Sequence, residues 1–171
     1  KCSGAEDPMP EQATTKRAKR DLRRGRSAST AAGEFVREEM DHIREGKHGA
    51  RSAKQAIAIG LSKARRAGVP LRAPKGAKAA TRKAAARDLK AGKHPHKTSK
   101  TRSRATKQAL RKEPHRAASH RALAAQAHST AKRRGARARS ASAAKAVRTK
   151  GPALRRAAAR KAAATRKRAA R

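Results

Sequence analysis

Leucine, isoleucine, valine and phenylalanine together supply 14 of the 171 side chains, about 8% of the chain. Bulky apolar residues are what a folding chain buries, so their scarcity constrains this sequence more than any other feature. The nominal hydrophobic fraction of 36% is mostly alanine, 44 residues of it, with Trp and Tyr absent and Phe present once. Lys and Arg number 49 against 11 Asp and Glu, a formal net charge of +38. A highly charged chain with so few large aliphatic side chains is expected to be mostly disordered, with α-helical segments. An aromatic core, an α/β enzyme and a module that stacks bases on aromatics are excluded.

The charge is concentrated. Lys1 to Glu45 is nearly balanced, whereas Gly46 to Arg171 carries 39 basic residues and only two acidic ones, Asp88 and Glu113. Such a segment repels itself and calls for a polyanion. Cys2 is the only cysteine, which excludes an internal disulfide. No apolar run is long enough for a membrane span or a signal-peptide core, so the expected location is cytoplasmic. Met9, within Pro8-Met9-Pro10, is a candidate initiator that would leave residues 1–8 outside the native chain.

Four regions follow from composition. Residues 1–28 read as a disordered N-terminal arm, 29–68 as a small helical hairpin module, 69–113 as a linker with short helices, and 114–171 as an Ala/Arg/Lys-rich tail. The hairpin carries the structure-coding detail. Val36, Met40 and Ile43 recur at i, i+4, i+7 with Phe35 beside them, and Gly46 stops a helix near 33–45. Ser52-Ala53-Lys54-Gln55 fits a capping box opening a second helix near 53–67, with Ala53, Ile57, Leu61 and Ala64 on one stripe. Arg65 and Arg66 fall in its last turn before Gly68 and Pro70. The expected hairpin core is therefore Phe35, Val36, Met40, Ile43, Ile57 and Leu61, too small for a robust independent fold and compatible with weak self-association. Ala53-Lys54-Gln55-Ala56-Ile57 is echoed by Thr106-Lys107-Gln108-Ala109-Leu110. Beyond Pro114 the tail is poised for helices near 115–134, 141–149 and 153–170, with Gly135 as a stop signal.

Catalytic chemistry has little to stand on. Glu38, Glu39 and Asp41 read as a solvated face beside Arg37 and Arg44. His94-Pro95-His96 lacks the Cys or carboxylate neighbours of a metal site, and His115 and His120 lie on different helix sides. There is no phosphate-cradling glycine loop, and neither a cofactor nor a metal is expected. The chain does not read as an enzyme.

The tail suits nucleic acid. The net charge of +37 over Gly46–Arg171, which includes the tail, matches duplex phosphates over about 63 Å, some 18 base pairs. The tail's helices surround themselves with cations instead of setting them opposite a bulky apolar face, which argues against a membrane partner. The expected contacts are Arg65, Arg66, Lys132, Arg133, Arg134, Arg137, Arg139, Lys150, Arg155, Arg156, Arg160, Lys161, Arg166, Lys167 and Arg168. Lys and Arg on phosphates position a protein without reading sequence, so the binding is expected to be non-specific. RNA or ribosome association, and a hairpin that binds a protein partner, are the alternatives.

Lys161-Ala162-Ala163-Ala164-Thr165-Arg166-Lys167-Arg168 resembles the tails of linker histones and bacterial histone-like nucleoproteins. Gly33-Glu34-Phe35-Val36-Arg37-Glu38-Glu39-Met40 followed by Ser52-Ala53-Lys54-Gln55-Ala56-Ile57-Ala58-Ile59-Gly60-Leu61-Ser62-Lys63-Ala64-Arg65-Arg66-Ala67-Gly68 resembles a small bacterial domain family of unknown function whose members often carry such extensions. The resemblance implies a bacterial, nucleoid-associated DNA-compacting protein and brings no catalytic residues.

Overall fold

A computed structural model describes residues 12–74, 76–94 and 99–169, without the side chain of Lys150. Cys2, Met9, Pro95 and His96 lie outside the described residues. Helices run over Gln12–Arg23 (α1), Ala28–Arg44 (α2), Ala53–Arg66 (α3), Ala79–Lys93 (α4), Lys100–Arg111 (α5) and His120–Ala169 (α6), with a 3₁₀ turn at His115–Ala118. Of the described residues 81% are helical and none is in a strand. The expectation of a mostly disordered chain is thereby overturned, including for residues 12–23 of the supposed arm.

Local chemistry explains where the hairpin helices begin and end. Ser27, not recognised as a cap from sequence, accepts a hydrogen bond from the Thr30 amide at 3.3 Å and starts α2 five residues earlier than the apolar stripe suggested. Ser52 caps α3 by accepting from the Gln55 amide at 3.3 Å. The Gln55 carbonyl oxygen accepts from the Arg51 amide at 2.9 Å, one residue upstream of the reciprocal partner in a standard capping box. Gly46 and Gly68, both at positive φ, close α2 and α3.

The chain divides into two compact units, Lys1–Ala124 and Ala125–Arg171. The first is built on α2 and α3, with α1 against α2, α4 against α3 and the 3₁₀ turn against both helices of the hairpin. The reason so few large side chains suffice is that the core is made largely of alanine. One cluster joins Ala18 of α1 to Ala31, Ala32, Phe35, Ala64 and Val69. A second joins Met40, Ile43, Ala50 and Ala56 to Ala117 and Ala118. Phe35 and Ile43 are fully buried. Met40 is buried, whereas Val36, Ile57 and Leu61 sit half-buried at the flanks. The line of α3 facing the interior is Ala53, Ala56, Gly60 and Ala64.

Gly60 explains that shift. A Cβ there would lie 2.7 Å from the Val36 Cα and 3.0 Å from the Phe35 carbonyl oxygen, so α2 and α3 touch backbone to backbone at this point. At that spacing alanine methyls reach across the interface, and the larger side chains are displaced to its edges. Burial recruited from outside the hairpin (Ala18, Leu22, Ala117, Ala118 and Leu123) completes the core.

The close approach also buries charge. Glu38 and Glu39, expected on a solvated face, are buried, Glu39 completely. The Lys63 ammonium of α3 lies 2.6 Å from Glu39 Oε2, and His48 Nε2 lies 3.4 Å from Glu39 Oε1. His42 Nε2 faces Glu38 Oε1 at 3.9 Å and its ring packs edge-on to His48. On α4, the buried Asp88 accepts from the Ser62 hydroxyl at 2.7 Å and pairs with Arg66 at 3.0 Å.

Paired substitutions check this packing. Gly60→Ala, which would gain helix propensity in an isolated helix, is expected to destabilise the protein by about 1–3 kcal/mol because the methyl meets backbone. Gly33→Ala, with open space around its Cβ, is expected to stabilise it by about 0.5–1 kcal/mol. Urea unfolding followed by circular dichroism reads both, and equal effects would deny the close contact.

Candidate nucleic-acid interface

The unit Ala125–Arg171 contains 16 Lys and Arg and no acidic residue, so no cation in it has a carboxylate partner within the segment. Its side chains are almost all exposed. Alanine, arginine and lysine are strong helix formers, which is why this composition takes up helix. Two residues interrupt α6: Gly135 (φ 75°, ψ 167°) and Gly151 (φ 66°, ψ 170°) occupy a backbone region essentially closed to other residues. Pro152 follows at a first helical position, where its missing amide costs nothing. The result is three rods, over 120–134, 136–150 and 152–169, each roughly 22–27 Å long.

The structure distributes the expected contacts unevenly. Lys132, Arg133, Arg137, Arg155, Arg156, Arg160, Lys161, Arg166, Lys167 and Arg168 are exposed on α6. Lys150 lies on the same element. Arg134 and Arg139 are exposed but brace the Gly135 break, Arg134 donating to the Ser142 hydroxyl at 2.9 Å and Arg139 to the Ala131 carbonyl at 3.1 Å. Arg65 and Arg66 belong to the other unit and serve its fold. Arg65 donates to the Leu71 carbonyl at 2.9 Å, and Arg66 holds Asp88.

Sequence reasoning passed over α5. None of its residues is buried, and it carries Lys100, Arg102, Arg104, Lys107 and Arg111 with no acidic residue. The linker reading hid it, although its spacing of cations over twelve residues is as dense as in the tail. In the same unit each carboxylate from Asp21 to Asp88 has a basic or histidine neighbour: Arg26, Arg17, His42, Lys63, Arg44, Lys47 and Arg66 in chain order. Acidic groups between Asp21 and Asp88 are thus paired locally, and the basic residues of the unit outnumber them.

Among the described residues no helix is long and apolar enough to cross a membrane. Among the described residues the exposed large apolar side chains, Val147 and Leu154, lie on different rods. The chain matches no protein-family model, no curated protein and no solved structure.

The breaks give a direct check. Gly135→Ala cannot keep its backbone conformation, so the first two rods should fuse into one helix. The expected outcome is a gain in mean residue ellipticity at 222 nm in the full chain, with slower amide exchange over residues 136–139, whose N–H groups gain intrahelical partners once the break is closed.

Proposed function

We propose that the protein binds nucleic acid, in the first place duplex DNA, without sequence preference, through the cationic helices of Ala125–Arg171. The observation that carries this reading is the combination of 16 basic residues, no acidic residue and near-complete exposure in one helical segment. A surface of that kind attracts a polyanion and gains free energy from the release of condensed counterions. Helices about 10–12 Å across also match the width of the major groove, about 12 Å. Arg donates to phosphate through a planar fork of N–H groups, so even Arg134 and Arg139, each with one donor engaged, keep others for a phosphate.

Specificity is not supported. The rods repeat Ala, Arg and Lys without the Asn, Gln and Arg combinations that read base edges. Broken at Gly135 and Gly151, they suit a ligand followed along its backbone. The resulting activity is coating and compaction of DNA, as the compositional likeness to histone-like tails suggests, and nucleoid association would follow from it. Non-membrane partners of other kinds would have to present a comparable density of negative charge.

The experiment is a titration of the full chain with unrelated DNA duplexes and a structured RNA of equal length, over a salt series, followed by fluorescence anisotropy. DNA affinities should agree across sequences and fall by about 10³- to 10⁵-fold between about 50 and 200 mM salt. Replacing Arg155, Arg156, Arg160 and Lys161 by Gln should lower the salt slope by about 3–4 and weaken all duplexes alike. An unchanged slope would remove the third rod, 152–169, from the interface. Tighter binding to the RNA would transfer the reading to RNA.

A further inference from the structure

We propose that Glu39, His42 and His48 form a binding site for one divalent transition-metal cation, with zinc as the prototype, at the turn of the α2–α3 hairpin. The inference is independent of the nucleic-acid reading. The three residues offer one ligand atom each, all within 4.8 Å of one another, from a buried carboxylate and two half-buried imidazoles.

His48 supplies the first argument. Its Nδ1 lies 3.1 Å from the Gly49 carbonyl oxygen, an atom that only accepts, so Nδ1 carries a proton and donates it. In the neutral ring Nε2 then holds a lone pair, and it faces Glu39 Oε1 at 3.4 Å. Two acceptors aimed at each other inside a protein require a positive charge between them. The Nδ1–H bond to a backbone carbonyl is also the arrangement by which metal-ligating histidines fix ring orientation and basicity.

Glu39 supplies the second. It is completely buried, and Oε1 has no hydrogen-bond donor. Its other oxygen is held by Lys63 at 2.6 Å, which neutralises half of the carboxylate's demand and orients Oε1 towards the imidazoles. A bare, fully buried carboxylate oxygen is costly, and a cation at that point relieves the cost.

Distance supplies the third. Ligands about 2.0–2.2 Å from a tetrahedral ion are about 3.3–3.6 Å apart, and the Glu39–His48 separation of 3.4 Å already falls within that range. His42 completes the set from the next turn of α2, its ring edge-on to His48 at 6.2 Å between centroids. Three protein ligands leave the fourth position to water. Local charge favours the ion even though the whole chain is cationic: Glu38 and Glu39 outnumber Lys63 in the buried cluster. Two imidazoles and one carboxylate suit zinc, cobalt(II), nickel(II) or copper(II), and fit calcium and magnesium poorly. Because the ligands come from α2 and from the turn that leads into α3, the ion would tie the two helices together at the point where the hairpin reverses.

The test uses the metal-stripped full chain, titrated with zinc by calorimetry and with cobalt(II) by visible absorption. One zinc per chain, a rise in Tm and the strong absorption bands of four-coordinate cobalt are expected. His48→Gln and His42→Gln, whose wild-type side chains are partly exposed and whose folding is verified by circular dichroism, should each weaken zinc binding at least about tenfold and abolish the cobalt bands. His128→Gln and the pair His94→Gln/His96→Gln should leave both unchanged. Absence of saturable binding at micromolar zinc would overturn the proposal and leave a proton between His48 and Glu39. Binding that survives in the His42→Gln/His48→Gln double variant, or that disappears with His94 and His96, would overturn it equally.

Discussion

Backbone contact between α2 and α3 at Gly60 is the condition on which the rest of the first unit depends. Dispersion falls away steeply with separation, so an alanine methyl contributes to a core only when the facing helix is very close. A side chain at position 60 would hold the helices apart, and Ala56 and Ala64 would then face a gap instead of α2. The same device recurs where other elements dock. A Cβ on Gly92 would meet the Arg65 carbonyl oxygen at 2.4 Å, and one on Gly49 would collide with the Glu113 backbone, whose segment also accepts the Gly49 and Ala50 amides through the Leu110 and Pro114 carbonyls. Small residues at the points of contact replace large residues in the spaces between.

Close approach has an electrostatic consequence. Glu39 and Lys63 project from the two faces that touch, with no room to reach solvent, and so they pair. Buried pairs of this kind seldom add net stability against an apolar alternative, because desolvation offsets the attraction. What the pair does fix is register. Sliding α3 by one turn would set Ile59 or Ala67 opposite Glu39 and leave a buried carboxylate without its ammonium. An interface made of interchangeable alanines has little else with which to reject a slipped alignment, whereas a single ion pair rejects it strongly.

How much of this could be read from the residues varies with the kind of signal. Ser52, Gly46 and Gly68 act through local backbone chemistry, and the hairpin they delimit was legible for that reason. Gly135 was legible as an interruption on the same ground, whereas Gly151 fell unnamed in the gap between the expected helices 141–149 and 153–170. Ser27 was overlooked because the apolar stripe that follows it begins only at Phe35, leaving Ala28, Ala31 and Ala32 to look like background. The mostly disordered expectation failed through the same habit: counting bulky side chains assigns alanine no role, although Ala18, Ala31, Ala56, Ala64 and Ala118 make up much of what is buried. Burial of Glu39 was not legible at all. It sits four residues after Phe35 on the face that packs, but one stripe chosen through Val36, Met40 and Ile43 places it outside. Only the partner helix, with Lys63 three residues past Gly60, reveals that the packed arc is wide enough to include it.

The two units divide the chain's charges between different tasks. In the first, carboxylates are consumed one by one by nearby bases, which lets a strongly basic segment fold by cancelling repulsion where side chains are crowded. In the second there is nothing to cancel, and extended helical rods keep the cations apart. On the nucleic-acid reading this division has an energetic logic. The cations of α5 and those of α6 belong to one chain, so engagement of either raises the effective concentration of the other at the same polyanion, whatever the orientation between the units. Counterion release from each set then multiplies in the binding constant, as does its loss with salt. Affinity built in this way needs no shared surface and no fixed docking pose. It needs only that the folded unit leave its surplus cations outside, which the local pairing of its carboxylates and the alanine core together bring about.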